Sequence, residues 1–381
     1  MNEDGSAEAS HEDEVWRRRA ENYPAALYEL ATGRRGHGVP HEILDPMLLL
    51  CAHHPSEEGL ALVGRLVDDL AEDGDPRDMP DFLVRRMARQ LAQVRGPASR
   101  ALMTLFDELP VRLGLAAEFR ACLLQELARI SGIVPSRGPH DTWNAAWAYY
   151  ARLVELGHPL AWLPLESFPF EHRLRRLDGA GGTGVMVDGA DAEPNPAVPP
   201  TPCGGAAGRA ASEPANPART EAALAPVVAI RQKEARFFTL PAPLDRHDFN
   251  GALLSALPAD CLVGATPDTV SALHTTGDRV LGDLYIAADA GTAFGTRGLR
   301  PGQLGAYGRL NAWRGLYALM GLAKDVALPE AVRHAAACRW LRFTVQPHES
   351  EWSAGDAMDL GFAVLDAERT GVAILATSEV D

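Results

Sequence analysis

Six residues in the C-terminal third are the candidates for contact with a ligand: Gly291, Gly295, Arg297, Arg309, Arg314 and Asp359. Glycines at 291, 295, 298, 302, 305 and 308 leave backbone N–H groups unblocked ahead of and in the first turns of a predicted helix, Gln303 to Leu322. Arginines at 297, 300, 309 and 314 bring positive charge to the same stretch. Backbone donors, a helix N-terminus and guanidinium groups together could hold an anion such as a phosphate ester. A nucleotide loop of the G-x-x-x-x-G-K-[ST] kind would need a lysine and a hydroxyl that this stretch lacks. The competing reading is structural, and it is the stronger one: Gly305 and Gly308 let the helix approach its neighbours closely. Acids follow at Glu349, Glu351, Asp356 and Asp359, beside His348 and Trp352. Paired carboxylates can exchange protons or hold a divalent ion. Nothing in their spacing fixes two of them on one face.

Other clusters carry less. Cys51-Ala52-His53-His54, with His37 and His41 nearby, offers soft and borderline ligands but not the spacing of a zinc site. A buried cysteine followed by a helix end at His53-His54-Pro55 explains it. Gly179-Ala180-Gly181-Gly182-Thr183-Gly184 has the letters of a dinucleotide fingerprint but neither the strand before it nor the helix after it. Trp143, Trp147 and Tyr150 recur at helical spacing, so this aromatic cluster, with Tyr149 and Trp162, reads as a packed seam before it reads as a partner surface. Among recognised catalytic motifs, G-x-S-x-G, H-E-x-x-H, C-x-x-C and the kinase set are all absent. No cofactor and no metal is called for.

Composition narrows the class. The chain has 381 residues, 46% of them hydrophobic and 23% charged, the balance of a globular protein long enough for two domains. A net charge of −15 argues against general nucleic-acid binding, which rests on neutralising phosphates. Arg34-Arg35, Arg85-Arg86, Arg173 and Arg175-Arg176 are basic spots best read as solvated helix faces and ends. Five scattered cysteines suggest neither disulfides nor a metal site, and no apolar run reaches bilayer length. The acidic start lacks the order of a signal peptide, so a cytoplasmic location is expected. Lysine occurs only at 233 and 324, the arginine-heavy coding of a high-GC bacterial genome.

The elements fall into two halves. Residues 1–13 read as a disordered acidic tail and 14–177 as an all-α helical array, repeat-like but without a fixed sequence period. Helices are expected at Trp16–Ala31, Glu42–Ala52, Glu57–Glu72, Asp81–Val94, Ala98–Leu109, Leu113–Ser131 and Thr142–Leu156. Residues 178–222, rich in Gly, Ala and Pro, read as a flexible linker. Residues 223–381 read as an α+β domain with a small antiparallel sheet covered by helices on one face. Its strands are expected at Val227–Leu240, at 358–365 by alternation of Met358, Leu360, Phe362 and Val364, and at Val372–Thr377. Its helices are expected at Asp248–Leu257, Asp278–Ala288, Gln303–Leu322 and from Pro329 to Leu341.

The run Gly305-Ala306-Tyr307-Gly308-Arg309-Leu310-Asn311-Ala312-Trp313-Arg314, the strand Asp359–Leu365 and the ending Val372–Thr377 resemble a family of uncharacterised bacterial proteins from high-GC actinomycetes. The resemblance lies mainly in the C-terminal domain, with Gly157–Pro164 as a second stretch. It implies no activity, cofactor or catalytic residue. The expected function is therefore a non-enzymatic binding or regulatory protein whose helical half meets a protein partner. The alternative is an enzyme or sensor of a phosphate-containing small molecule, acting through the glycine loop.

Overall fold

The computed structural model of the chain describes residues 80–92, 102–131, 143–166, 168–171, 174, 211–214, 216–290, 305–346, 352 and 360–378. Two compact units divide it, one of Met1–Ser167 with Leu304–Ala306, the other of Phe168–Gln303 with Tyr307–Asp381.

In the first unit, α1 (Pro80–Ala92) opens on a proline, whose missing N–H costs nothing in a first turn. Val84, Met87, Ala88 and Leu91 form its buried stripe and pack on α2 (Leu115–Ser131). Burying each larger apolar side chain contributes about 1.5–3 kcal/mol. Gln125 of α2 is buried, and its Nε2 donates to the carbonyls of Leu160 at 3.1 Å and Leu163 at 2.9 Å. That ties down the 3-10 turn Pro159–Trp162. Helix α3 (Asn144–Glu155) ends at Gly157, whose φ of +70° favours glycine. The Gly157 N–H reaches the Val154 carbonyl and the His158 N–H reaches that of Leu153, closing the helix in a Schellman pattern. Residues 1–79, and the helices expected there, lie outside the described residues.

The second unit is mixed α+β. Its strands are β1 (Ala211–Ser212), β2 (Gln232–Thr239), β3 (Val270–Thr275), β4 (Arg339–Val345), β5 (Leu360–Leu365) and β6 (Gly371–Ser378). They form one sheet in the order β1-β2-β6-β5-β4-β3, with every pairing antiparallel. Around it run α4 (Pro217–Leu224), α5 (Gly251–Ser255), α6 (Gly277–Ala290), α7 (Gly305–Met320, its first two residues in the first unit) and α8 (Leu328–Ala337). One core gathers Phe238, Leu341, Phe343 and Ile374 from the sheet with Leu253 and Leu254 from α5.

Three expectations change. Every residue of β5 is buried, as are seven of the eight in β6, so the central strands are covered on both faces rather than one. The intervening Gly361, Ala363, Ala373 and Leu375 are themselves apolar or small, which makes these continuous apolar runs rather than alternating ones. The helix expected to reach Leu341 ends at Ala337, and Cys338 turns extended with ψ of 158° straight into β4. Order also begins inside the stretch read as linker. Ala211 and Ser212 pair with β2, and Asn216 caps α4 by accepting from the Arg219 N–H at 3.1 Å. Arg219 then donates to the Ala318 carbonyl at 2.9 Å and to Glu213 at 2.7 Å, lying 3.8 Å over the Phe237 ring.

Candidate functional site

Four of the six candidate ligand residues, Gly291, Gly295, Arg297 and Asp359, lie outside the described residues, as do His348, Glu349, Glu351, Asp356 and the Cys51–His54 cluster. The other two sit on α7 in different settings. Arg314 is exposed. Arg309 is fully buried, and Glu171 meets it in a two-pronged pair, Nε to Oε1 at 2.7 Å and Nη2 to Oε2 at 2.9 Å. The Trp313 indole N–H donates to the same Oε1 at 2.7 Å, and the Phe168 amide to Oε2 at 3.2 Å. Phe170 stacks on Trp313 with centroids 5.6 Å apart. Burial alone would raise the Glu171 pKa; the Arg309 charge and these donors outweigh it and hold the carboxyl below its ordinary value. The Arg309 charge is thus matched inside the protein.

The glycines of α7 serve packing. Gly308 lies against Tyr285 and the Asp289 backbone of α6, and a Cβ on Gly315 would come within 2.6 Å of Pro226. Gly305, in the first unit, has φ of +39° and faces the carboxylate of Glu126, leaving no room for a side chain. Glu126 is buried with Arg129, whose Nε donates to it at 3.1 Å. The aromatic cluster is likewise a seam. Tyr149 is fully buried edge-on to Phe106 at 5.5 Å, Trp147 meets Tyr150 at 6.1 Å, and the Tyr150 hydroxyl donates to the Ala161 carbonyl.

The second unit has a shallow notch on its sheet, lined by Cys261, Phe343, Trp352, Leu360, Ala376 and Thr377 among others. It encloses only about 30 Å³, room for a water molecule or two. The Cys261 thiol is raised well above its ordinary pKa by burial and by the adjacent Glu234 carboxylate. Glu234 accepts from the Cys261 and Asp260 amides at 2.8 and 3.0 Å and from Arg236 at 2.7 Å. This carboxylate caps the turn Asp260–Leu262, and the thiol beside it stays protonated, a poor nucleophile. No group of three or more metal-ligating side chains occurs among the described residues.

A feature that the sequence reading missed lies in the first unit. Leu109, Val111, Leu113 and Val154 are 50%, 86%, 44% and 52% exposed. Arg152, two residues before Val154, donates from Nε to the Pro110 carbonyl at 3.1 Å, which brings the end of α3 beside the 109–113 loop. Apolar residues scattered singly over a surface are ordinary, but Leu109, Val111 and Leu113 stand exposed within five residues of one loop, and apolar patches mark interaction sites. Leu-Pro-Val-Arg-Leu between two helices is an apolar loop, and that was the available signal.

The class is therefore a mixed α+β protein whose second unit is built on an antiparallel sheet and whose first unit shows apolar side chains to solvent. The model of a family of unknown function (DUF6183) matches residues 10–381, and the chain belongs to that family. The match runs through both units, beyond the C-terminal domain in which the resemblance was read. No curated protein and no solved structure matches the chain significantly. Among the described residues, no helix is long and apolar enough to cross a membrane.

Proposed function

We propose that this chain is a cytoplasmic binding or regulatory protein of a high-GC actinomycete, and that its N-terminal half is a helical array that meets a protein partner. The observation that carries the reading is the run of exposed apolar side chains Leu109, Val111 and Leu113 in the loop beside the end of α3, where Val154 is exposed as well. Such residues gain by being desolvated against a complementary surface. The rim mixes Asp107, Glu108 and Arg112 with the Arg152–Glu155 pair, a polar border of the kind interfaces carry. Quantitative capture from the native host tests it, with the Val111→Asp chain as comparison. Recovery of a stoichiometric partner by the native chain and its loss with the variant is the expected outcome.

A second reading has the glycine loop hold a phosphate-containing small molecule, with Gly291, Gly295, Arg297, Arg314 and Asp359 as contacts. What supports it is Arg314, an exposed cation on α7. Arg309 adds little net charge there, because Glu171 neutralises it. Thermal-shift titration with nucleotides and phosphorylated metabolites decides it: stabilisation that Arg314→Ala abolishes favours an anion site, and none with any anion removes it.

A further inference from the structure

We propose that Arg339, Arg369, His247 and His274, gathered at one end of the sheet in the second unit, form a site for a phosphate group, free or esterified on a small molecule. Sheet register and backbone bonds bring them together. His274 of β3 stands opposite Leu341 of β4, so Arg339, two residues back along β4, shares its face. Arg339 in turn stands opposite Leu365, the last residue of β5, and the turn that follows carries Arg369. The Leu244 N–H donates to the Arg369 carbonyl at 2.8 Å, which lays the exposed Asp245, Arg246 and His247 beside that turn. The electrostatics agree. Asp245 is held below the usual carboxylate range by the His247 amide first, then by the charges of His247, Arg369 and Arg339.

Arg339 and Arg369 are half-buried, yet neither guanidinium makes a hydrogen bond or a close ion pair among the described residues. Asp245 already gives an oxygen to the His247 amide at 2.9 Å. Asp366 and Glu368, in the same turn as Arg369, act instead on the Cys338 thiol, and Cys338 points to the face opposite Arg339. Arg369 also sits in a costly conformation. Among the described residues it is the only non-glycine with a positive φ, +63°, which glycine adopts without penalty. Its N–H donates to the Asp366 carbonyl and its C=O accepts from Leu244, so the backbone holds that conformation whatever the side chain. An arginine there lowers stability and gains no contact inside the fold to offset it, which points to a contact outside. Two guanidiniums and two imidazoles, from four separate segments, match the several oxygens and near-double charge of a phosphate. The site shares no residue with the glycine loop of the second reading.

Calorimetric titration of the full chain with inorganic phosphate and with glycerol 3-phosphate, at about 0.05 M salt, reads this directly. Binding of at least one of the two anions is expected, weakened about tenfold or more by Arg339→Gln and by Arg369→Gly. Arg231→Gln, at the opposite end of the sheet, should leave it unchanged. Tighter binding of glycerol 3-phosphate marks an ester as the ligand, and tighter binding of phosphate marks the free anion. Arg369→Gly should also need more urea to unfold, because glycine relieves the positive φ, so its lost binding is not a lost fold. No binding of either anion, binding that Arg369→Gly leaves intact, or an equal loss with Arg231→Gln overturns the proposal.

Discussion

Glu171 and Arg309, 138 positions apart in the chain, form a fully buried two-pronged ion pair that pins the segment Phe168–Glu171 to α7. The pair leaves neither group wanting: Trp313 and the Phe168 amide fill the remaining carboxylate sites. A buried pair of this kind is weak evidence of net stability, but breaking it strands a charge. Arg309→Met or Glu171→Leu alone is expected to cost about 3–5 kcal/mol in a denaturant melt. The Glu171→Leu/Arg309→Met double variant is expected to recover part of that loss, since no buried charge remains while the Trp313 and Phe168 N–H groups lose their acceptor. A double variant as unstable as the singles added together would mean that the two act independently.

The pH dependence of stability follows from the same groups. Glu171 and Glu234 have folded pKa values below the ordinary 4.5. Their contribution is present above the unfolded value and is lost as pH falls through the folded one. His274 is lowered from 6.5, by burial first and then by Arg339 and His247. The unfolded chain therefore takes up that proton more readily, and stability also declines as pH drops below 6.5. Urea melts at a series of pH values should show a shallow fall from neutral pH and a steeper one below 4.5. His274→Gln should remove the first and leave the second, and a chain more stable at pH 5 than at 7 would reverse the sign.

Cys122, Cys261 and Cys338 should resist thiol reagents while the chain is folded. Burial is the main cause in each case, and it pushes Cys338 up to about 12 with help from Asp366 and Glu368. Peptide-resolved alkylation at pH 8 should leave these three unlabelled until denaturant is added. Fast native labelling of Cys261 would show a thiolate that its surroundings do not support.

Much of the fold was legible from sequence, and the parts that were not have a physical reason. Helices α1, α2 and α3 were readable because Pro80 and Gly157 mark ends and apolar residues recur at helical spacing. The hairpin of β5 and β6 was readable from two apolar runs around a polar turn. Strand β4 was hidden because Cys338 turns helix into strand without a glycine or proline to mark it. Strand β3 is short and carries mid-strand Ala272 and His274, which favour no sheet. Of the site, the glycines were legible as glycines, but their reason was not. The partner of Arg309 lies too far off in sequence for any local pattern to name it, and the exposure of Val111 depends on what α3 leaves uncovered.

Gly315 and Gly114 make a matched test of the packing role given to glycine. At 315 a methyl group would press on buried Pro226, so Gly315→Ala is expected to cost about 1–3 kcal/mol despite better helix propensity. Gly114 has nothing within 4 Å, and Gly114→Ala should stay within about 0.5 kcal/mol of the native chain in the same melt.

The most direct measurement of the binding role compares, in parallel, what the native and Val111→Asp chains retain from the native host after chemical cross-linking, quantified by mass spectrometry. Val111 is 86% exposed, so the variant should fold as the native chain does. A protein recovered near one-to-one by the native chain, cross-linked near residues 109–113 and depleted about tenfold by the variant, is the expected result, a change worth about 1.4 kcal/mol. No stoichiometric partner, or one held equally well by both chains, would contradict it.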